Sequence, residues 1–577
     1  MKWRVIPVFM TFFLAAVASV EPGSDSWLQW GRNPQHTGFI PVVGQPPEHK
    51  LAKFRYDPFV KQETLDFAGL GVPAHYQVPL IEGDDVYMEF KTGKWIPCHP
   101  WFAWEQGKHC GPNAWETEIW NEKRFVWQRG KLVETWSFES DWKPEPNGYP
   151  SGLGAFEPVF HPVLDGDYLY IPGAGGTLWK VDKKDGKAVS RINPFGNEID
   201  KQKFVAGPLT ADSHGNIFYN VMKLATGQDQ WYGHDVLGAW LVKVFRNDTT
   251  ARVTYHDLVP NAPPPHGKCP YVFYQEKTLP WPPSKHAKPI TIECGSQRPG
   301  VNVPPAIAPD GTIYTVSRAH FDQLVGYLVA VNPDLTPKWQ ASMQRRLHDG
   351  CGVVIPIAKH RRQPDACREG TTVGVDPNTN DWGSVQVLDY SSSSPVVLPD
   401  GSVLIAGGNS YGQGGGHVMK FSSEGKFITA YPYGYDITPA VFPHDGTYSL
   451  AIKENHYPAG LYCYFPNNIY CKPLPAAYYI TQLDADLKPQ WKFKDRTVDK
   501  KHPRGFEWCV NAAAYDVNGS VYVNSEDGNL YVLNQHGKME RRIFLNRAIG
   551  AAYTPVSLGP DGRIYALNDG VLFVLGK

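Results

Sequence analysis

The chain lacks any surplus of charge: 56 Lys and Arg stand against 57 Asp and Glu, a formal net charge of -1. Nucleic acids and acidic polymers select a strongly basic face, so neither is an expected partner. Beyond its first residues the chain has no uninterrupted apolar run near the ~18 residues that read as a membrane span. Its 9 cysteines include no C-x-x-C pair, the spacing that marks most zinc and dithiol sites. No G-x-S-x-G presents a nucleophilic serine. The Gly-rich stretch "GNSYGQGGGH" (408–417) is not followed by the Lys-Ser or Lys-Thr of a phosphate loop, and reads as a flexible loop.

What is present is aromatic and turn-rich. Aromatics make up 13% of the chain, with 55 Gly and 51 Pro, a mix that suits many short strands joined by tight turns. The start reads as an export signal over 1–18. "MKWR" supplies positive charge, "VIPVFMTFFLAAVA" a short apolar run, and Ala16-Val17-Ala18 a small-residue cleavage site. An uncleaved anchor is the alternative, but the run is short for a span. The first cysteine is Cys98, so no lipid-attachment cysteine lies near the cleavage site. The mature protein is expected to be soluble and monomeric, in a periplasm or outside the cell, with no stable membrane span.

Eight segments share one pattern: a Pro or small residue, a few apolar residues, a tight turn, then an apolar-aromatic strand. They include "HPVLDGDYLYIPG" from His161, "PPAIAPDGTIYTV" from Pro304, "SPVVLPDGSVLIAG" from Ser394 and "TPVSLGPDGRIYAL" from Thr554. Asp-Gly and Asn-Gly are strong hairpin signals, because Gly adopts the positive φ such turns require. A third strand follows each pair, as in "GTLWKVD" and "GYLVAVN", and a fourth often carries Trp, as in "LTPKWQAS" and "LKPQWKFK". Four antiparallel strands per unit, repeated without helices, predict an all-β fold: a β-propeller of eight blades, with seven as the alternative count.

The last unit ends the chain one strand short. Near the start, "EHKLAKFRYD" (48–57) resembles "LKPQWKFKD" and is expected to supply that strand, closing the ring without an exposed edge. The predicted organisation is therefore a signal over 1–18, a lead segment over 19–47 and one propeller over 48–577.

"EDGNLYVLNQHGKMERR" resembles the repeat of pyrroloquinoline-quinone-type (PQQ-like) propellers, and "WLQWGRNPQHTGF" (27–39) resembles the opening segment of many of them. The resemblance covers most of the chain. It implies the propeller fold, which quinoprotein dehydrogenases share with non-enzymatic assembly factors. The adjacent Cys-Cys pair of quinoprotein alcohol dehydrogenases is absent, as is the lipidated Cys of the assembly lipoprotein.

In a four-stranded meander the second-to-third and blade-to-blade connections share one face. That face holds nearly all the insertions and all nine cysteines; the other holds short turns such as "GPDG" and "LPDG". Pairing within each insertion predicts Cys98–Cys110, Cys269–Cys294, Cys351–Cys367 and Cys463–Cys471, in keeping with an oxidising compartment. Cys509, in "EWCVNAA", is left over: a small buried residue or a free thiol at a ligand site.

The insertion-bearing face is the expected working face, because long ordered loops on a rigid scaffold carry binding residues. Candidate contacts around its axial mouth are Arg318, His320, Asp389, His456, Trp508, Cys509 and Asn511. Each has a plain alternative as a loop or core residue. His75, His161, His234 and His417 fall in the same region. Two functions follow. The first is a secreted binding or scaffold module for a protein segment, glycan or small ligand. The second, implied by the resemblance, is a quinoprotein-type dehydrogenase with PQQ and Ca²⁺ at the mouth, for which Asp389, Asp436, Asn511 and Trp508 are suitable types. The missing catalytic signatures favour the first.

Overall fold

The structure is a computed structural model. It describes residues 25–62, 77–96, 117–144, 159–226, 233–270, 291–347, 375–376, 381–382, 384–389, 393–408, 416–456, 476–547 and 555–577. Eight antiparallel sheets of at least four strands each form the blades of a ring. Blades 1 to 7 span 80–139, 163–192, 203–254, 297–342, 396–431, 440–494 and 514–544. In blades 3 and 4 the innermost strand is split. Lys203–Val205 and Thr210–Ala211 both pair with Ile217–Lys223, and Gln297–Pro299 and Ala306–Ile307 both pair with Ile313–Ala319.

Blade 8 is closed as the sequence predicts. Its first three strands are Val556–Leu558, Ile564–Asn568 and Val571–Gly576. The fourth is His49–Arg55, antiparallel to Val571–Gly576 with Lys50 opposite Leu575 and Arg55 opposite Val571. The two ends of the chain thus share one sheet.

The tight turns follow one rule. Asp310, Asp400 and Asp561 each accept a hydrogen bond from the amide two residues on, that of Thr312, Ser402 and Arg563. The Gly between them sits at φ +78 to +81°, which side chains rarely adopt. Inner strands such as Gly326–Val331 are buried throughout, because neighbouring blades cover both faces, whereas outer strands such as Pro489–Lys494 are mostly exposed.

Six junctions between blades are locked by one side chain that reaches the third-to-fourth turn of the next blade. On the fourth strands of blades 1, 4 and 6, Trp136, Trp339 and Trp491 donate their indole N–H to the carbonyls of Lys183, Ser423 and Gln535. Each indole lies on a glycine of the turn it reaches; a Cβ added at Gly186, Gly425 or Gly537 would stand 2.6–2.7 Å from the ring. On the third strands of blades 2, 3 and 5 a lysine does this work: Lys180 reaches Asp248, Lys243 the carbonyl of Pro333, and Lys420 the carbonyl of Ala485.

Residues 27–45, read from the sequence as a lead segment, run once around the inside of the short-turn face. Trp27 pairs with Ile81 of blade 1, and the carbonyl of Leu28 accepts from Leu164 of blade 2. Gln29 exchanges two hydrogen bonds with Ala211 of blade 3. The carbonyls of Pro34, Gln35, Thr37 and Gly38 accept from Ile307, Val397, Val441 and Tyr515 of blades 4 to 7, and Gln45 donates to Gly562 of blade 8. This belt fills the bore. Trp30 donates to Thr438 Oγ1 (3.0 Å) and meets His161 edge-on, while His36 bridges the Pro395 carbonyl and Thr210 Oγ1. Burial pushes the His36 imidazole down to about 4 and His161 to about 3, so both are neutral in the core.

Candidate functional site

The belt occupies the short-turn face, and the candidate side chains gather towards the mouth of the insertion-bearing face. Its best-defined wall lies between blades 4 and 5. Antiparallel pairing puts Arg298 of the split inner strand directly opposite Arg318 of Ile313–Ala319. Two guanidiniums facing each other on one sheet repel unless a carboxylate is supplied. Asp389, on the connection to blade 5, supplies it. Its two oxygens accept from Arg298 Nη1 and Nη2 (2.7 and 2.8 Å), and Oδ2 also takes Arg318 Nη1 (2.9 Å). The amide of Val301 adds a fourth bond (3.2 Å). Burial alone would raise the Asp389 carboxyl; the two guanidiniums outweigh it and hold the group well below the usual carboxylate range.

His320 is tied into the same wall. Arg298 Nε donates to His320 Nδ1 (2.9 Å), so that nitrogen carries a lone pair. The ring proton is then on Nε2, which donates to the His234 carbonyl (3.0 Å). The imidazole is thereby fixed as one neutral tautomer with both nitrogens engaged. Beside it Asn302, at φ +66°, accepts from the amide of Val159 and donates its own to the Ala206 carbonyl, tying the entries to blades 2, 3 and 4 together.

In blade 6, Lys453 Nζ lies 3.2 Å from Asp436 Oδ2. Cys509 is a buried thiol, with Sγ 3.3 Å from Glu526 Oε1. Burial first, then the charges of Glu526 and Glu507, push that thiol up, so it stays protonated and is a poor nucleophile. The Asn511 carbonyl accepts from Thr438, joining blade 7 to blade 6.

The structure therefore brings Arg318, His320 and Asp389 together and sets Cys509 and Asn511 at the entry to blade 7. Trp508 and His456 do not join the Arg318–His320–Asp389 cluster. Trp508 is fully buried in the core between blades 6 and 7, edge-on to Phe493 and Tyr531. His456 ends the strand Thr447–His456, stacks on Tyr433 (4.2 Å) and bonds Glu454 (2.7 Å). Burial would raise the Glu454 carboxyl, but His456, Lys492, Tyr431 and Thr481 together hold it down to about 2. His417 lies on the strand Gly416–Phe421, where burial lowers it to about 3. His75 lies outside the described residues.

Sequence reasoning missed Arg298 and Asn302. No local signal marks either, since only strand register sets Arg298 against Arg318. The Cys269–Cys294 pairing is present as a disulfide bracing the hairpin of Lys268–Pro270 and Thr291–Glu293. The cysteines of the other three predicted pairs lie outside the described residues. Among the described residues no group of three or more His, Cys, Asp or Glu is placed to hold a metal, and no helix is long and apolar enough to cross a membrane.

No family model and no curated protein matches the sequence. Solved structures do match in shape. A quinohemoprotein alcohol dehydrogenase from Comamonas testosteroni superposes with a TM-score of 0.53 at 11% identity, over 96% of this chain and 81% of that one. BamB from Moraxella catarrhalis matches with a TM-score of 0.36 at 10% identity, over 92% of this chain and 99% of that one. At 11% identity the likeness to the alcohol dehydrogenase is one of fold. The chain has the fold of the PQQ-like propellers, with eight blades and its own N-terminal strand as the closing element.

Proposed function

We propose that this chain is an exported binding propeller whose ligand meets the mouth of the insertion-bearing face. One observation carries the reading. Four of the chemistry-bearing side chains described there are committed: Asp389 to two guanidiniums, His320 through both nitrogens, Asp436 to Lys453 and the Cys509 thiol to Glu526. Such a network builds a rigid wall, in which none of these four side chains is left open as a base or nucleophile. The ligand class is a protein segment, a glycan or a small molecule seated among the insertions. Export is supported by the signal-like start and by the Cys269–Cys294 bridge, which belongs to an oxidising compartment.

The quinone reading fits these residues poorly. Ca²⁺ needs carboxylate oxygens that are open to it, and those of Asp389 are taken by Arg298 and Arg318. An aromatic floor needs an exposed ring face, and Trp508 is buried between blades.

Mass spectrometry and visible absorption of the purified chain test this choice directly; a stoichiometric co-purifying quinone overturns it. The working face is tested by pairing Arg318→Ala with Asp310→Ala on the opposite face. Ligand capture is expected to fall with the first and persist with the second, with both variants folded by circular dichroism. The reverse pattern places the site on the other face.

A further inference from the structure

The side-chain lock recurs at six of the eight junctions and is missing where blade 7 meets blade 8. Strand register shows what takes its place. In blades 4 and 6 the docking Trp339 and Trp491 pair with Ala330 and Gln482, the last step before the bulge that leads into the third-to-fourth turn. Blade 7 has its bulge at the same step, between Val532 and Leu533, and there Arg541 pairs with Val532. Arg541 thus holds the indole position, and Val532 the position that Lys180 and Lys420 hold in blades 2 and 5.

Arg541 has no turn to reach. Blade 8 takes its fourth strand from His49–Arg55, so Pro46 and Pro47 lead into that strand where the other blades present a turn. Among the described residues the Arg541 guanidinium bonds only the carbonyl of its neighbour Glu540 (2.9 Å). A cavity of about 460 Å³ occupies the gap, lined by Lys538, Met539 and Arg541 from blade 7 and by Val43, Pro46 and Pro47 from the incoming segment, among others. Its carboxylates are taken. Asp516 accepts from the amides of Gly44, Asn518 and Ser520 and from the Tyr522 hydroxyl, and Glu540 accepts from the Asn534 side chain (3.3 Å). Its cations are open: only the backbone amide of Lys538 is engaged, and neither its ammonium nor the Arg541 guanidinium pairs with a described carboxylate. A net charge of -1 is a sum over the whole chain and does not exclude this local excess.

We propose that this cavity binds a sugar acid. The planar fork of Arg541 takes the carboxylate through two parallel hydrogen bonds, and Lys538 adds charge. The Asn518 carboxamide and the Ser520 hydroxyl also line the cavity, and neither side chain is bonded to a described residue; they serve the ring hydroxyls. The C–H face of the ring rests on Pro46, Pro47 and Met539. A bare carboxylate leaves these walls unused, and a neutral sugar leaves the guanidinium without its acceptor. The ligand oxygens thus do what a turn carbonyl does at the locked junctions. The site is on the short-turn face and does not depend on what the mouth binds.

Ligand-observed NMR of the full chain with sodium D-galacturonate tests this. Saturable binding is expected. D-Galactose, the same ring without the carboxylate, and acetate, the carboxylate without the ring, are each expected to bind about tenfold more weakly or worse. Arg541→Gln is expected to weaken galacturonate about tenfold or more without moving the melting temperature, since the side chain is exposed. Arg542→Gln, one residue on and facing the other side of the strand, is expected to leave binding unchanged. Trigalacturonate separates two sources of the same chemistry: tighter binding than the monomer assigns the end of an acidic glycan, and equal or weaker binding a free acid. No saturable galacturonate binding, equal binding of galactose or acetate, or an equal loss in Arg541→Gln and Arg542→Gln each overturns the proposal. So does tighter binding of N-acetylglutamate than of galacturonate, which would point to an acidic polypeptide instead.

Discussion

Asp322 shows how much one side chain at the mouth can reveal. It lies two residues beyond His320, is fully buried, and accepts the Leu324 amide at Oδ1, while Oδ2 has no partner among the described residues. Burial raises its carboxyl from 3.8 to about 7, offset in part by the Leu324 bond and by Arg318. A carboxyl raised in the folded state holds its proton where the unfolded chain has lost it. Stability from this group therefore falls as pH rises from the unfolded value towards about 7, and the penalty is complete above that. Asp322→Asn is expected to stabilise the chain at pH 8 by on the order of 1–3 kcal/mol and to change little at pH 4. Urea unfolding at the two pH values checks this, and an equal gain at both would show that the carboxyl does not titrate in that window. Asp389 has the opposite sign: its depressed pKa adds stability above the unfolded carboxylate range, lost as pH falls through the folded value. Neither behaviour was legible in "SRAHFDQ" or "LDYSSSS": burial decides Asp322, and partners 71 and 91 residues away, Arg318 and Arg298, decide Asp389.

Elements were far more legible than side-chain directions. The turns could be read because their chemistry is local: Asp bonds two residues ahead and Gly takes the positive φ. The closing strand could be read from a missing neighbour. Direction could not, because strands such as Thr447–His456 are buried almost throughout and lack the alternation that reveals a face. The direction of His456 and Trp508 was hidden for that reason; the structure turns Trp508 into the core between blades 6 and 7 and stacks His456 on Tyr433. The Trp locks are the testable feature at this scale. Trp339→Ala removes the bond to Ser423 and the ring over Gly425, at an expected cost of roughly 2–4 kcal/mol. Gly425→Ala crowds the same ring from below and is strained at φ +81°, so it is expected to cost about 1–3 kcal/mol. Because both act on one contact, the double variant should lose less than the sum, and a double-mutant cycle by urea denaturation measures the difference. Full additivity would mean that the indole and the glycine do not share a contact.

The whole ring depends on the belt in a way that no single blade does. A repeat array is held by contacts between neighbours, so opening one junction normally leaves the rest intact. Residues 27–45 break that locality, since one continuous segment bonds to all eight blades in turn before it becomes the closing strand. It also fills the axis, where Trp30 is 1% exposed and both histidines beside it are held neutral by burial. Two deletions separate these roles. Removing 48–57 opens blade 8 to solvent but leaves the bore plugged. Removing 27–45 leaves every blade strand in the chain but empties the bore and exposes the inner strands. The second deletion is expected to be the more damaging, with loss of a single cooperative unfolding transition rather than only a shift in its midpoint. Trp30→Ala is the milder form, expected to cost about 3–5 kcal/mol while the transition stays cooperative. Scanning calorimetry of the three variants, comparing calorimetric with van't Hoff enthalpy, decides the matter. A belt-deleted chain that still melts in one sharp step near the wild-type temperature would mean that the blades close the ring by themselves and that the belt only caps it.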